Sequence, residues 1–215
     1  MPFRDRTDAG RRLAAALSRY KGHKPLILAL PRGGVPVAVE IASALDGALD
    51  LMLVRKIGVP VQPELAMGAV AEGTPPFVVR NEEVIAFSGV TPQEFEAAYQ
   101  HEVAEIERRR RQYIGDRARE PVAGRVVIVV DDGIATGATV KAALQAIRRQ
   151  RPAKLVLAVP VAPPETIEAL RPLVDEVVCL ETPEPFGAIG YFYRDFSQLR
   201  DADVEAAMAG RADSK

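Results

Sequence analysis

The sequence predicts an α/β protein built on an open, mainly parallel sheet with helices on both faces. Five short runs are apolar on both faces and rich in branched residues: "LILAL" (26–30), "LMLVR" (51–55), "VVIVV" (126–130), "KLVLAVPV" (154–161) and "EVVCL" (176–180). Strands of a parallel sheet are covered on both sides, so they read as continuous aliphatic runs instead of alternating ones. Helix-like segments separate most of these runs, the order that right-handed β-α-β crossovers produce. The chain has 215 residues, 48% of them hydrophobic, which suffices for one well-buried domain spanning 1–215 with at most a small accessory lobe.

In chain order, a helix over about 8–20 precedes the first strand. Further helices over 35–45, 136–150 and 165–173 carry leucine, isoleucine or alanine at helical spacing. The segment 58–124 breaks the rhythm and is expected to be an inserted flap followed by a long helix. Its opening, "GVPVQPELAMGAVAEGTPP", holds prolines and glycines expected to prevent long regular elements, and "FVVRNEEVIAF" reads as a hairpin turning at Asn81-Glu82. The long helix has a legible start. Thr91 and Glu94 form a capping box, Pro92 suits the first helical position and Val90 can staple to Phe95. Glu105 stands four before Arg109 and Glu107 four before Arg111, so much of this helix is expected to be solvated, and "RRRR" (108–111) to be an ion-paired face.

The net charge of −1, with cations spread among acids, offers no field to draw in nucleic acid or an anionic membrane, so neither is an expected partner. No apolar run approaches the roughly 20 residues of a membrane span. The start of the chain, with Arg4, Asp5, Arg6 and Asp8, lacks the apolar core of a secretory signal, and a cytoplasmic protein is expected. The single Cys179 excludes an intramolecular disulfide framework and a cysteine metal cluster, and reads as a small buried apolar residue. His23 and His101 have no partner at catalytic or metal-ligand spacing and read as surface residues.

Ligands of open α/β sheets bind at the carboxyl ends of the strands. The loops expected there are "PRGGVP" (31–36), "RKIG" (55–58), "DDGIATGAT" (131–139) and "PVAPP" (160–164). Gly137, with Ala135 and Ala138, lets loop N–H groups face inward at a helix start, which makes a phosphate cradle, and Thr136 and Thr139 add hydroxyl donors. Gly33 and Gly34 allow backbone to approach a second anion closely, with Arg32, Arg55 and Lys56 supplying charge. Asp131 and Asp132, expected to be exposed, suit sugar hydroxyls or a hydrated magnesium ion, although adjacent acids at a strand end also serve as helix caps or as magnesium ligands of other kinds. The chain has no G-x-x-x-x-G-K-[ST] and no strand-borne G-x-G-x-x-G, so triphosphatase and dinucleotide readings lack their main support.

"VVIVVDDGIATGATVKAAL" resembles, over its whole length, the phosphoribosyl-pyrophosphate signature of the type I phosphoribosyltransferases. "LPRGGVPVA" is similar to that family's pyrophosphate loop, "VRK" to its basic strand end, and 58–124 occupies the place of its flexible closing loop. "RKIGVPVQPELAMGAVAEG", "AVPVAPP" and "FGAIGYFYRDFSQL" are similar to a bacterial subgroup of predicted phosphoribosyltransferases, and the resemblance covers nearly the whole chain. It implies that Asp131 and Asp132 bind the ribose hydroxyls, that 135–139 binds the 5-phosphate, and that Arg32, Gly33, Gly34 and Lys56 bind pyrophosphate with Mg2+. It also implies a C-terminal hood over 181–200 in which Phe186, Tyr191, Phe192 or Tyr193 stacks on a base and Asp195 is a metal-side acid. The resemblance departs at two places. Ala135 stands where 6-oxopurine members tend to carry an aspartate and adenine members an alanine, and Gly133 stands where many members carry an aliphatic residue.

The implied function is transfer of phosphoribose from phosphoribosyl pyrophosphate to a nitrogen acceptor, a nucleobase, with release of pyrophosphate. Arg32, Lys56, Asp131 and Asp132 would be its catalytic set, Asp131, Asp132 and Asp195 its metal ligands, and a homodimer its assembly. The alternatives are a non-catalytic sensor of phosphoribosyl pyrophosphate on the same fold and a related phosphoribosyl hydrolase or phosphorylase.

Overall fold

The structure, a computed structural model, describes residues 2–210, so both ends of the predicted 1–215 domain lie outside the described residues. Five parallel strands form the main sheet: β1 (Leu26–Ala29), β2 (Ala48–Leu51), β6 (Val126–Val130), β7 (Lys154–Val161) and β8 (Glu176–Glu181), in the order β2-β1-β6-β7-β8. Successive side chains alternate between the two faces, so each strand feeds two cores. Ile27, Ile128 and Val156 face a core shared with α1 (Arg6–Ala16), α2 (Gly34–Leu45), α4 (Pro92–Ile114) and α7 (Asp201–Ala209). Leu28, Val127 and Leu155 face the other, shared with α5 (Ala138–Arg149) and α6 (Pro164–Leu170). The predicted fold class is thus the observed one.

The chain runs outward from β1 to β2 on one side and from β6 to β8 on the other. The order therefore reverses between β1 and β6, where Leu26 pairs with Val127 and Ala29 with Val130. Crevices outside such switch points are where open α/β sheets bind ligands.

The remaining strands form a separate antiparallel sheet, β3 (Val54–Val59), β4 (Gln62–Ala71) and β5 (Phe77–Arg80), followed by α3 (Glu82–Ser88) and α4. Here three expectations are corrected. The predicted strand 51–55 is the end of β2 and the start of β3. The chain changes sheet at Met52-Leu53, both buried, where the Glu72 carboxylate accepts the Leu53 N–H at 2.9 Å. Continuous burial hides such a turn from a hydropathy pattern, and it places "RKIG" within a strand instead of in a loop. The Pro- and Gly-rich run forms the ten-residue β4, because Pro63 lies beyond the part of β4 paired to β5, where a missing donor costs no ladder bond on that side. The supposed turn at Asn81-Glu82 starts a helix: the Asn81 side chain accepts the Val84 N–H, and Glu82 and Glu83 occupy the favourable first turn.

The capping box at Thr91 and Glu94 is present, with Pro92 in the first turn of α4. Glu105 pairs with Arg108 and Arg109, each at 2.7 Å, but Arg110 turns inward and is buried. The N-terminal helix ends at Ala16, earlier than predicted, and continues as a 3₁₀ turn over Ser18–Tyr20. Cys179 is half-buried, with its thiol pushed up to about 11 by burial, which keeps it protonated and unreactive. No helix among the described residues is long and apolar enough to cross a membrane.

Candidate active site

The stretch after β6 turns sharply because Gly137 takes φ +76°, a backbone conformation that side chains disfavour, and α5 starts at Ala138. The first turn of α5, Ala138 to Val140, and the residues before it, 134–137, border a cavity of about 130 Å³, also lined by Lys56, Asp131 and Gly133. Two contacts hold the loop in place. Ile134 N–H bonds the Val161 carbonyl at 2.9 Å, and the Thr166 hydroxyl donates to the Ala135 carbonyl at 2.8 Å. Thr166, unforeseen from the sequence, also explains the size limit at Gly137, where a Cβ would lie 2.9 Å from its methyl. Thr136 is exposed and Thr139 half-buried, leaving a small polar cup at a helix N-terminus, the arrangement that favours a phosphate.

The two acids have different surroundings. Asp132 is only 8% exposed, not free at the strand end as expected. Its Oδ2 accepts from Arg6 Nε at 2.7 Å, and a Cβ on Gly33 would stand 2.1 Å from the same oxygen. Asp131 lines the cavity, where its Oδ1 accepts the Asp132 N–H at 2.9 Å. Burial, and then the Asp132 charge, hold the Asp131 carboxyl well above the usual carboxylate range. Burial also raises Asp132, opposed by the Arg6 hydrogen bond. The open position of Asp131 is one that a cation would stabilise.

The basic residues divide as well. Neighbouring residues of a strand point to opposite faces. Lys56 accordingly reaches the cavity, whereas Arg55 bonds Glu102 of α4 at 2.7 Å. Arg32, after a cis peptide bond from Pro31, sits 3.7 Å from Asp201 of α7 with 41% of its side chain exposed. The glycine pair serves close packing: Gly34 donates its N–H to the Leu30 carbonyl, and a Cβ there would meet the Val130 carbonyl at 2.5 Å.

The segment 181–200 folds over this rim. Gly133, the unusual residue, makes room for Ile189, whose Cγ2 would lie 2.6 Å from a Cβ at that position. Phe186 and Phe192 stack at 5.4 Å, and the Tyr193 hydroxyl donates to the Asp132 carbonyl at 2.6 Å. Those three rings are engaged in packing, whereas Tyr191 is 78% exposed with its ring edge over Gly187. Asp195 is exposed and its Oδ1 accepts the Ser197 N–H. Among the described residues no three His, Cys, Asp or Glu side chains converge as a metal-ligating set, so the fold does not gather Asp195 with Asp131 and Asp132.

A parallel sheet with a phosphate-type loop and an acid at its switch point is the architecture of the type I phosphoribosyltransferases. Residues 4–195 match the phosphoribosyl transferase domain family, and the chain belongs to it. Proteins from Mycobacterium tuberculosis strains CDC 1551 / Oshkosh and H37Rv, whose names place them among the phosphoribosyl transferases, are each 45% identical over 206 residues. That match covers 96% of this chain and 46% of each relative, so the chain spans about half the length of the curated relatives it matches. The solved structure of TT1426 from Thermus thermophilus is 40% identical, with a TM-score of 0.81 and coverage of 98% of this chain and 99% of that one.

Proposed function

We propose that the chain transfers phosphoribose from phosphoribosyl pyrophosphate to a nitrogen acceptor, with pyrophosphate as the leaving group. The observation that carries this reading is a single cavity after β6, beside the switch point, lined together by the first residues of α5, Asp131 and Lys56. The loop 135–139 would bind the 5-phosphate through first-turn N–H groups and the Thr136 and Thr139 hydroxyls. Asp131 would meet the sugar hydroxyls or the metal, and Lys56 would neutralise the departing pyrophosphate. Arg32 would join it by swinging from its long contact with Asp201. Tyr191 offers the free ring for a planar acceptor.

The donor set suits magnesium, which is commonly held by one or two carboxylates together with phosphate oxygens and water. Asp131 is the carboxylate for it, and the ion would supply charge neutralisation on the pyrophosphate. The protein's own task is to fix the sugar and leaving group while positive charge develops at the anomeric carbon, which needs positioning and electrostatics and no covalent nucleophile.

The test is calorimetry with magnesium and phosphoribosyl pyrophosphate, followed by pyrophosphate release screened across purines, pyrimidines and other nitrogen compounds. Magnesium-dependent binding with release for one acceptor class is expected. Binding without release for any acceptor would point to a sensor, and absence of binding would end the reading.

A further inference from the structure

The N-terminal segment reaches the acidic pair beside the cavity through one residue. Arg6, the first residue of α1, makes three contacts: Nε to Asp132 Oδ2 at 2.7 Å, Nη1 to the Ser197 carbonyl at 2.9 Å, and its guanidinium carbon 3.9 Å from the centre of the Phe196 ring. Both Arg6 and Asp132 side chains are 11% exposed. The segment carrying Arg6 is itself fastened to the hood. Phe3 N–H bonds the Phe192 carbonyl, Arg194 N–H bonds the Phe3 carbonyl, and the Phe3 and Tyr193 rings lie 5.3 Å apart. Asp132 is therefore enclosed by Arg6 on one side, by Gly33 on another, and by Tyr193 at its backbone carbonyl.

We propose that Arg6 is a positioning residue that divides the acidic pair: it ties Asp132 into a clamp of N-terminal segment and hood, and leaves Asp131 as the carboxylate that meets the ligand. This rests on the phosphoribosyl-pyrophosphate reading above. The fit to arginine is specific, because only a planar fork can donate to a carboxylate and a carbonyl while stacking on a ring. Lysine keeps the charge and loses the rest. Without Arg6 a second uncompensated carboxylate stands beside Asp131, and the cavity becomes less hospitable to an anionic ligand.

The experiment measures affinity for phosphoribosyl pyrophosphate with magnesium in Arg6→Gln, Arg6→Lys, Asp131→Asn, Asp132→Asn and the Arg6→Gln/Asp132→Asn double variant, each checked for an intact fold by circular dichroism. Arg6→Gln is expected to weaken binding about tenfold, Arg6→Lys less, and Asp132→Asn less than Asp131→Asn. The double variant should bind more tightly than Arg6→Gln alone, because removing the stranded carboxylate removes the harm; a merely structural role would add the two losses. A double variant no better than Arg6→Gln, or equal damage from the two Asn variants, overturns the proposal.

Hydrogen exchange of the unliganded protein gives an independent reading. Arg6→Gln should speed exchange at 132–134 and 193–198 by about tenfold or more, while Arg11→Gln, which removes only the surface pair with Glu40, should not. If the wild type does not bind phosphoribosyl pyrophosphate, the functional reading fails, and exchange alone upholds the Arg6 role or, if unchanged, rejects it.

Discussion

Asp50 and Asp131 stand in or just after strands of the same parallel sheet that flank β1 on either side, yet they are bonded in opposite ways. Asp50, in β2 at the root of the antiparallel lobe, takes Arg110 Nη2 on both oxygens at 3.2 and 3.1 Å, the Leu51 N–H at 2.8 Å and the Glu120 N–H at 2.9 Å. Arg110 spends its other nitrogen on Glu72 at 3.2 and 3.1 Å, and Glu72 also holds the Leu53 N–H where the chain leaves the sheet. Asp131 faces a cavity, accepts one backbone N–H and has its cationic neighbour Arg6 committed to Asp132. A buried acid saturated from several directions holds two layers together. A buried acid left open on one side keeps an acceptor available to a ligand.

The largest effect expected from breaking this contrast is at Arg110. Arg110→Met leaves Asp50 and Glu72 buried beside one another, and should cost about 3–5 kcal/mol in urea unfolding. A loss below about 1 kcal/mol would show that the root of the lobe is held by packing alone. Asp131→Asn should do the reverse. It is expected to weaken magnesium-dependent binding of phosphoribosyl pyrophosphate by about 1.5–3 kcal/mol, roughly tenfold or more, while thermal stability stays level or rises because a carboxyl whose ionisation is opposed by burial and by Asp132 is gone. Calorimetry and a melting curve on the same sample decide it.

Lys56→Ala and Arg32→Ala sharpen the contrast within the cavity. Each should reduce turnover by about tenfold or more while sparing binding of a ribose 5-phosphate fragment, whose phosphate the proposed reading assigns to the 135–139 loop. Equal weakening of both would mean that the two anions are placed wrongly. The lobe itself should respond unevenly. Val61 at the tip of the β3–β4 hairpin is 91% exposed, whereas Glu72 at its root is 4% exposed. Saturation with phosphoribosyl pyrophosphate and magnesium should slow exchange over 58–63 severalfold and leave 70–73 unchanged if the hairpin is a cover that excludes water. Slow, ligand-independent exchange at the tip would assign the lobe to support.

The smallest effect belongs to the surface of α4. Hydrogen bonds from Arg108 and Arg109 lower the Glu105 carboxyl to about 2 from an ordinary 4.5. Because the folded value is the lower one, this stabilisation is present above pH 4.5 and is lost as the pH falls through about 2. Glu105→Gln should remove that acid-side dependence while changing stability at neutral pH by less than about 1 kcal/mol, since the pair is solvated. Urea unfolding at about pH 6 and about pH 3 measures it.

Some elements were legible because their causes are contiguous. "VVIVV" is strand β6 to the residue, and Thr91 with Glu94 marks the start of α4. The loop 135–139 announces itself through a glycine and two threonines next to a helix. Asn81 with Glu82 and Glu83 was also a readable helix start, masked by the apolar residues on either side. The division of β2 from β3 was not readable, because Met52 and Leu53 remain buried through the change of sheet.

The sequence by itself determined the parallel sheet, the phosphate-type loop and the family to which the chain belongs, since each rests on residues adjacent along the chain or repeated at a strand or helix period. Tertiary structure alone decided which acid is open and which is tied. Arg6 lies 126 residues from Asp132 and Arg110 lies 60 from Asp50, and pairs so separated leave no periodic trace. It also sent Lys56 into the cavity and Arg55 to the long helix, because the β3 pleat separates two neighbouring cations that look equivalent when read in line.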